Sequence, residues 1–242
     1  MLSGLTYNVF LGMNLKSLLA WLYNENDQQD FYCFQEFPEQ KIPDLKAYLD
    51  KLGYDFQFTP GFVRYGVTYG ELTAFKKSKL KLLSVETVSL GGKGERNIVF
   101  THNGFKLFRI DETEIDKSAL LTKFQYHGHD FTLVNAHLST DLHNSRKLKQ
   151  LGVIIETLSA AGPTVILGDF NYAVGRRKLT KIMNGHGFKS GLPKQKTFRF
   201  ARGISWQNDY VFHRGCEIKS VSVKRVSYSD HYPVFFRVNL FD

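Results

Sequence analysis

Asp169 and Asn171 stand one residue apart at the end of an apolar run, Val165-Ile166-Leu167-Gly168-Asp169-Phe170-Asn171. A carboxylate beside an amide suits a proton acceptor next to a donor that steadies developing negative charge. Val165, Ile166 and Leu167 read as a strand buried on both faces. On an extended continuation, side chains two apart share a face, so Asp169 and Asn171 would point together with Phe170 turned away. Gly168 either lets the backbone leave the sheet or lets something approach it closely. The same stretch also reads as a strand followed by an Asx-type turn.

Further polar groups lie at or beside predicted strand ends: Asn8, Glu36, His137, Asp209 and the pair Asp230-His231. Each alone has a plain reading: a turn former, a helix-start carboxylate, a core histidine, a salt-bridge partner, a turn. As a set their chemistry is coherent. Glu36, Asn8 and Asp230 are hard oxygen ligands suited to Mg²⁺ or Mn²⁺. No CxxC or HExxH occurs, so a thiolate or zincin site is not indicated. His137 and His231 can donate to a phosphate oxygen, and Asp169 can take a proton from water. Metal, base, donors and cations together describe attack by water on a phosphoester.

Packed strands that end on one side of a sheet would bring these groups together. Residues 3–10 read as a strand, and Leu15, Leu18, Leu19 and Leu22 fall at helical spacing. Residues 30–34 form a second strand ending in Gln35-Glu36. Ile42, Leu45, Tyr48, Leu49 and Leu52 form a second helical stripe closed by Gly53. Strand, helix, strand, helix opens an α/β protein. The middle reads as strands over 54–59, 69–76, 80–88, 97–101, 105–111, 119–126 and 130–137, which implies antiparallel sheet. Gly91-Gly92-Lys93-Gly94 reads as a hairpin tip, because no strand-to-helix context supports a phosphate loop. A helix after His137 buries Leu148, Leu151, Ile155 and Leu158 and stops at Gly162-Pro163. A short basic helix runs through Leu179, Ile182 and Met183, and strands over 206–213, 217–226 and 232–240 close the chain.

The chain has 242 residues, 43% of them hydrophobic, enough for a sizeable core, and nothing in it marks a linker. No apolar run reaches membrane-spanning length, and no signal peptide is visible. Cys33 and Cys216 sit in strand-like runs and read as buried small hydrophobes, in keeping with a reducing cytosol and a cytoplasmic location. Net charge is +9, and the excess is local. Residues 172–208 hold nine Lys and Arg, from Arg176 to Arg202, and no Asp or Glu; Phe188, Phe198, Phe200 and Trp206 are interleaved with them. Basic side chains neutralise phosphates and rings stack on exposed bases, so this stretch points to an anionic partner. A solvated basic face is the alternative.

In family order along nearly the whole chain stand Thr6-Tyr7-Asn8, Gln35-Glu36, Tyr69-Gly70-Glu71, Asn135-Ala136-His137-Leu138, Gly168-Asp169-Phe170-Asn171, Asn208-Asp209-Tyr210-Val211-Phe212 and Ser229-Asp230-His231-Tyr232-Pro233-Val234. With these motifs the sequence resembles the endonuclease/exonuclease/phosphatase superfamily, the DNase I-like fold. The Gly-Asp-Phe-Asn and Ser-Asp-His pair is the specific part of the signal. The resemblance implies an α/β four-layer sandwich: two packed mixed β-sheets flanked by helices, with 1–242 as one domain and the site at one rim. It implies Glu36 as main metal ligand, aided by Asn8 and Asp230. Asp169 would orient or deprotonate the water, and Asn171 would hold the phosphate. His137 and His231 would stabilise the transition state and help protonate the leaving oxygen. Glu71 would orient His137, and Asp209 would orient His231. Arg146 and Gln150 resemble a common family pair.

Abasic-site endonucleases of the superfamily carry an acidic residue where this chain has Phe10, and lack a histidine at the position of His137. Both departures favour the branch with deoxyribonuclease I-like nucleases, sphingomyelinases and inositol-phosphate phosphatases. The expectation is a Mg²⁺- or Mn²⁺-dependent phosphodiesterase acting on nucleic acid. The alternative substrate is a phospholipid or inositol-phosphate head group, attracted to the same basic rim. A binding module without turnover is a third reading, against which the intact set of acid, amide and histidine counts.

Overall fold

A computed structural model describes the chain except residues 25–27, 65, 93–96, 102–103, 111–115, 142, 159–161, 201–203 and 241–242. Lys93, Gly94, Asp111 and Arg202 of the sequence analysis therefore lie outside the described residues. The elements in order are β1 (Leu2–Asn8), α1 (Leu15–Asn24), β2 (Phe31–Pro38), α2 (Ile42–Lys51), β3 (Tyr54–Arg64), β4 (Val67–Lys76), β5 (Lys81–Gly91), β6 (Asn97–Thr101), β7 (Gly104–Ile110), β8 (Lys117–Tyr126) and β9 (His129–His137). There follow α3 (Asn144–Thr157), β10 (Thr164–Asp169), α4 (Arg176–Gly185), β11 (Lys189–Ser190), β12 (Phe198–Arg199), β13 (Ser205–Trp206), β14 (Asp209–Arg214), β15 (Glu217–Val223) and β16 (Val234–Asn239).

Two six-stranded sheets form the centre, ordered β15-β16-β1-β2-β4-β3 and β11-β14-β10-β9-β8-β5. Both are mixed: β1 runs parallel to β2, and β9 to β10, while the other pairs are antiparallel. The sheets pack face to face through Leu2, Cys33 and Phe236 from one and Phe124, Val165 and Leu167 from the other. Leu18 and Leu22 of α1, with Leu45 and Leu49 of α2, cover the outer face of the first sheet. Leu151, Ile154, Leu179 and Met183 of α3 and α4 cover the second. The result is the four-layer α/β sandwich expected from the motifs.

Strand period 2 explains where the site arises. Facing inward, β1 presents Leu2, then Thr6, then Asn8. Likewise β2 runs Phe31, Cys33, Gln35; β9 runs Leu133, Asn135, His137; and β10 runs Val165, Leu167, Asp169. Each inward row is apolar at one end and polar at the same rim. Ile166 points the other way, onto α3 and α4, which is why this strand is an unbroken apolar run.

The polar rows meet between the sheets. Asn135 donates through Nδ2 to the Phe34 and Leu72 carbonyls at 3.1 and 3.0 Å, and accepts from Gln35 Nε2 at 2.7 Å. Gln35 also donates to Thr6 Oγ1 at 3.0 Å. This buried network fixes the register of one sheet on the other.

Several boundaries differ from the sequence reading. β3 runs on to Arg64 through a bulge between Pro60 and Phe62. The strand expected over 206–213 breaks at Gln207-Asn208 into β13 and β14. α3 buries Lys147, Gln150, Leu151 and Ile154, with Leu148, Ile155 and Leu158 at the margin, and it ends at Thr157, before Gly162. Leu158 has extended backbone, so it caps the helix rather than belonging to it. Gly91 does not close a simple hairpin: between β5 and β8 the chain forms a separate ribbon, β6–β7.

Candidate active site

Asp169 ends β10 with both carboxylate oxygens engaged. Oδ1 accepts the Asn171 backbone N–H at 2.9 Å, and Oδ2 accepts Asn8 Nδ2 at 2.9 Å. Two imidazoles face Oδ2: His231 Nε2 at 3.4 Å and His137 Nε2 at 3.8 Å. Burial pushes the Asp169 carboxyl up, His231 pulls it back, and Asp209 pushes it up further.

Gly168 makes this geometry possible. Its φ is +129°, and a Cβ there would lie 2.0 Å from the Ala136 carbonyl oxygen of neighbouring β9. Of the two roles considered for this glycine, close approach is the one realised, since the sheet pairing continues to Asp169↔His137.

Asn171 departs from the extended geometry expected of it. Its φ is +50°, and the Asp169 Oδ1 contact to its N–H makes the Asx turn. Its Nδ2 donates to the Leu138 carbonyl at 3.0 Å, and its Oδ1 accepts from Asn208 Nδ2 at 3.4 Å. Of the five non-glycine residues with left-handed backbone among the described residues, Phe10, Leu11, Glu36 and Asn171 all lie in or beside this rim. Such conformations persist only where surrounding contacts over-determine them.

Glu36 sits in the bulge of β2 between Phe34 and Phe37, with φ +56°. The bulge turns its carboxylate into the rim, where Oε1 accepts Asn8 Nδ2 at 3.1 Å and lies 3.7 Å from His137 Nε2. Burial pushes its carboxyl up, and the charge of Asp230 adds to that. Asn8 was expected as a metal ligand. Its amide is instead oriented from both ends: Oδ1 accepts the Phe10 N–H at 2.9 Å, and Nδ2 is shared by two carboxylates. It presents a donor, not a ligand oxygen.

His231 lies across the rim from Asp169. Its Nδ1 contacts Asp209 Oδ2 at 2.9 Å, as the motif comparison implied. Burial pulls its pKa down, but the charges of Asp209, Asp169 and Asp230 outweigh that and push it up to about 10. The turn beneath it is tied by Ser229 Oγ, which donates to the Asn8 carbonyl at 2.7 Å and accepts the His231 N–H at 3.1 Å. Asp209 pairs opposite Asp169 across β10 and β14. Both it and Asn208 donate backbone N–H groups to Thr197 Oγ1 at 3.0 Å.

His137 behaves differently. Burial, Lys117 and His231 hold its pKa well below the usual imidazole range, so it is neutral. Neither ring nitrogen has a hydrogen-bond partner. The expectation that Glu71 orients it is therefore not met. Glu71 lies further back and accepts from Ser118 Oγ at 3.2 Å, with Gly61 leaving room for its carboxylate. Lys117 is buried, its amine lies 5.0 Å from the Phe62 ring centroid, and its charge acts on both Glu71 and His137. Gln150 accepts the Ser139 N–H at 2.8 Å, and Arg146 Nη1 lies 3.5 Å from Asp141 Oδ2.

The rim thus brings together Asn8, Glu36, His137, Asp169, Asn171, Asp209, Asp230 and His231, while Glu71 stays apart. Thr197 and Lys117 belong to its surroundings and carry no sequence signal: one is a lone hydroxyl in a basic stretch, the other a lone strand-start lysine.

The donor set fits a hard divalent cation. Glu36 and Asp230 are buried carboxyls, both pushed up by desolvation, with Asp230 acting on Glu36. Carboxylate oxygens are the ligands that a hard divalent cation takes. Asp169, Asp209 and His231 also offer atoms within 4.8 Å of one another. Those atoms are committed to each other through the Asp209–His231 contact, which reads as an acid–base pair.

A model of the endonuclease/exonuclease/phosphatase family matches residues 5–231. A UPF0294 protein of Yersinia enterocolitica is 31% identical over 131 residues, which is 50% of this chain and 47% of that protein. The match therefore spans about half the length of that curated relative. An endonuclease/exonuclease/phosphatase from Bacteroides vulgatus has a similar structure, with a TM-score of 0.76 at 18% identity over 99% of both chains. The human Nocturnin catalytic domain gives 0.76 at 15% identity over 98% of this chain and 94% of that one. Humanised D. rerio TDP2 gives 0.71 at 16% identity over 98% of each.

Proposed function

Because the chain belongs to the endonuclease/exonuclease/phosphatase family, whose enzymes hydrolyse phosphoester bonds, we propose that it is a divalent-metal-dependent phosphodiesterase in which Asp169 activates the attacking water. The observation that carries this reading is the convergence on one carboxylate oxygen. Asn8, His231 and His137 stand 2.9, 3.4 and 3.8 Å from Asp169 Oδ2.

Asn8 holds Asp169 in position, and its raised proton affinity suits a base that takes a proton from water. The water oxygen bonds to phosphorus, its proton passes to Asp169, and the ester P–O bond breaks. His231, kept protonated by Asp209, donates to a phosphoryl oxygen and supplies a proton for the leaving oxygen. Neutral His137 has a free donor for another phosphoryl oxygen. Glu36 with Asp230 would hold Mg²⁺ or Mn²⁺, which when bound neutralises phosphoryl charge.

The basic, acid-free stretch 172–208 supports an anionic phosphodiester as substrate. Nucleic acid and anionic lipid both satisfy that charge. The test is turnover of bis(p-nitrophenyl) phosphate with MgCl₂ and with EDTA. Asp169→Asn should lower the metal-dependent rate by about a thousandfold with the fold intact. Near-normal turnover in that variant overturns the assignment.

A further inference from the structure

Asn208 joins the two halves of the site. It precedes Asp209, the partner of His231, and each of its four polar groups is engaged. Its backbone N–H donates to Thr197 Oγ1 at 3.0 Å, and its carbonyl accepts the Phe170 N–H at 2.9 Å. Its Oδ1 accepts the Trp206 indole N–H at 2.9 Å, and its Nδ2 donates to Asn171 Oδ1 at 3.4 Å. Asn208 is buried, so these partners take the place of water.

The direction of this chain of bonds is set at both ends. An indole nitrogen donates and cannot accept, so Asn208 turns its oxygen to Trp206 and its nitrogen to Asn171. A backbone carbonyl accepts and cannot donate, and that of Leu138 stands 3.0 Å from Asn171 Nδ2. Asn171 therefore keeps its oxygen toward Asn208 and its nitrogen toward Leu138. Turned over, it would set oxygen against the Leu138 carbonyl and nitrogen against the Asn208 nitrogen. A primary amide carries two N–H groups. The second one on Asn171 has no partner among the described residues, and Asn171 is half-buried at the rim.

The indole is itself held. Trp206 and Phe198 pair across the β12–β13 hairpin with ring centroids 4.9 Å apart, and Phe200 stacks on Trp206 at 6.0 Å. The same hairpin is bonded to the other half of the site. Arg199 donates its N–H to the Asp230 carbonyl, and Tyr232 donates its own to the Thr197 carbonyl, both at 2.7 Å. Trp206 thus stands on a frame that also fixes the turn carrying His231.

We propose that Asn208 is a positioning residue for Asn171: held by the Trp206 indole, its amide locks Asn171 so that an N–H, and not the carbonyl, is offered to a phosphoryl oxygen. The offer to phosphate rests on the phosphodiesterase reading above, whereas the chain of amides does not. A donor aimed beforehand at developing negative charge stabilises it more than one that must turn to meet it.

The test joins NMR to kinetics. The chain has two tryptophans, Trp21 and Trp206, so the indole N–H region holds two signals, and Trp206→Phe identifies one by removing it. In Asn208→Leu that signal should move upfield and exchange faster with water, because its acceptor is gone. On bis(p-nitrophenyl) phosphate with MgCl₂, Asn208→Leu should lower kcat by about tenfold and Asn171→Ala by about a hundredfold. On the Asn171→Ala background, Asn208→Leu should cost less than about twofold, because no amide is left to position. Trp206→Phe keeps the ring packing and should follow the same pattern with a loss of about threefold. It keeps the test decisive if Asn208→Leu misfolds. Equal losses on both backgrounds would show a merely structural role and overturn the proposal, as would wild-type turnover in Asn208→Leu. So would an indole signal that Asn208→Leu leaves unchanged. A wild-type chain that cleaves no phosphodiester, with the indole signal shifted as stated, would sustain the chain of amides and overturn the phosphodiesterase reading, and with it the part of Asn208 in turnover.

Discussion

His231 and Asp209 are joined by a 2.9 Å contact between Nδ1 and Oδ2, which leaves the opposite ring nitrogen 3.4 Å from Asp169. The pairing fixes both the ring's orientation and its charge. Asp209→Asn keeps the shape and removes the charge. Turnover should fall about a hundredfold with little change in KM, since the loss is felt most as charge develops. By NMR titration the His231 pKa should drop from about 10 toward the ordinary 6.5. A high pKa retained in the variant would mean that Asp209 is not the anchor. The sign on stability follows: His231's contribution is complete below pH 6.5 and is lost as pH rises through about 10.

Glu36 is raised by burial first and by Asp230 second, so the metal-free rim carries an electrostatic cost. Glu36→Gln should melt no lower than wild type without metal. It should lose the rise in melting temperature that MgCl₂ gives the wild type, because a ligand stabilises only the fold that binds it. Differential scanning calorimetry with and without MgCl₂ decides. A full magnesium shift in the variant would place the cation elsewhere.

Glu71 is pushed by burial to about 8, with Lys117 and Ser118 pulling against it. The unfolded chain gives up that proton near its ordinary pKa of 4.5, so between pH 4.5 and 8 the folded chain holds more protons. Stability should therefore fall as pH rises across this window. Glu71→Gln removes that part of the fall: similar to wild type at pH 5 by urea unfolding, and more stable than wild type at pH 8. Parallel pH profiles would show that Glu71 is ionised throughout.

Asn135→Ala leaves the Phe34 and Leu72 carbonyls and Gln35 Nε2 without the partner they share between the sheets. Leaving buried polar groups unsatisfied should cost about 3 kcal/mol in urea unfolding. A loss under about 1 kcal/mol would mean the sheets hold their register by apolar packing alone.

Polarity at strand ends was enough to collect Asn8, Glu36, His137, Asp169, Asp209 and His231, because the inward rows of β1, β2, β9 and β10 all turn polar at the same rim, although Glu36 reaches it only through a bulge. Strand periodicity failed one step further. Asn171 leaves the extended region, so the Asx turn and the cluster are two aspects of one structure rather than rival readings. Asn8's orientation was not legible, because the backbone N–H that its Oδ1 accepts belongs to Phe10, whose backbone is left-handed. Glu71 was tied to His137 by motif order alone, and motif order says nothing of the buried Lys117 whose charge acts on both. On α3 the buried face is rotated to Ile154, since the helix must also bury Lys147 and Gln150 against the rim loops.

The position of β1, between β2 and β16, bears on biosynthesis. A ribosome releases β1 well before β16, so one edge of β1 waits unpaired while the strands between them are made. Asn8 likewise waits for the turn at Ser229, whose hydroxyl closes on its carbonyl. A nascent chain therefore has no assembled catalytic rim, and any truncation that removes β16 should yield protein that is inert and prone to strand-edge association.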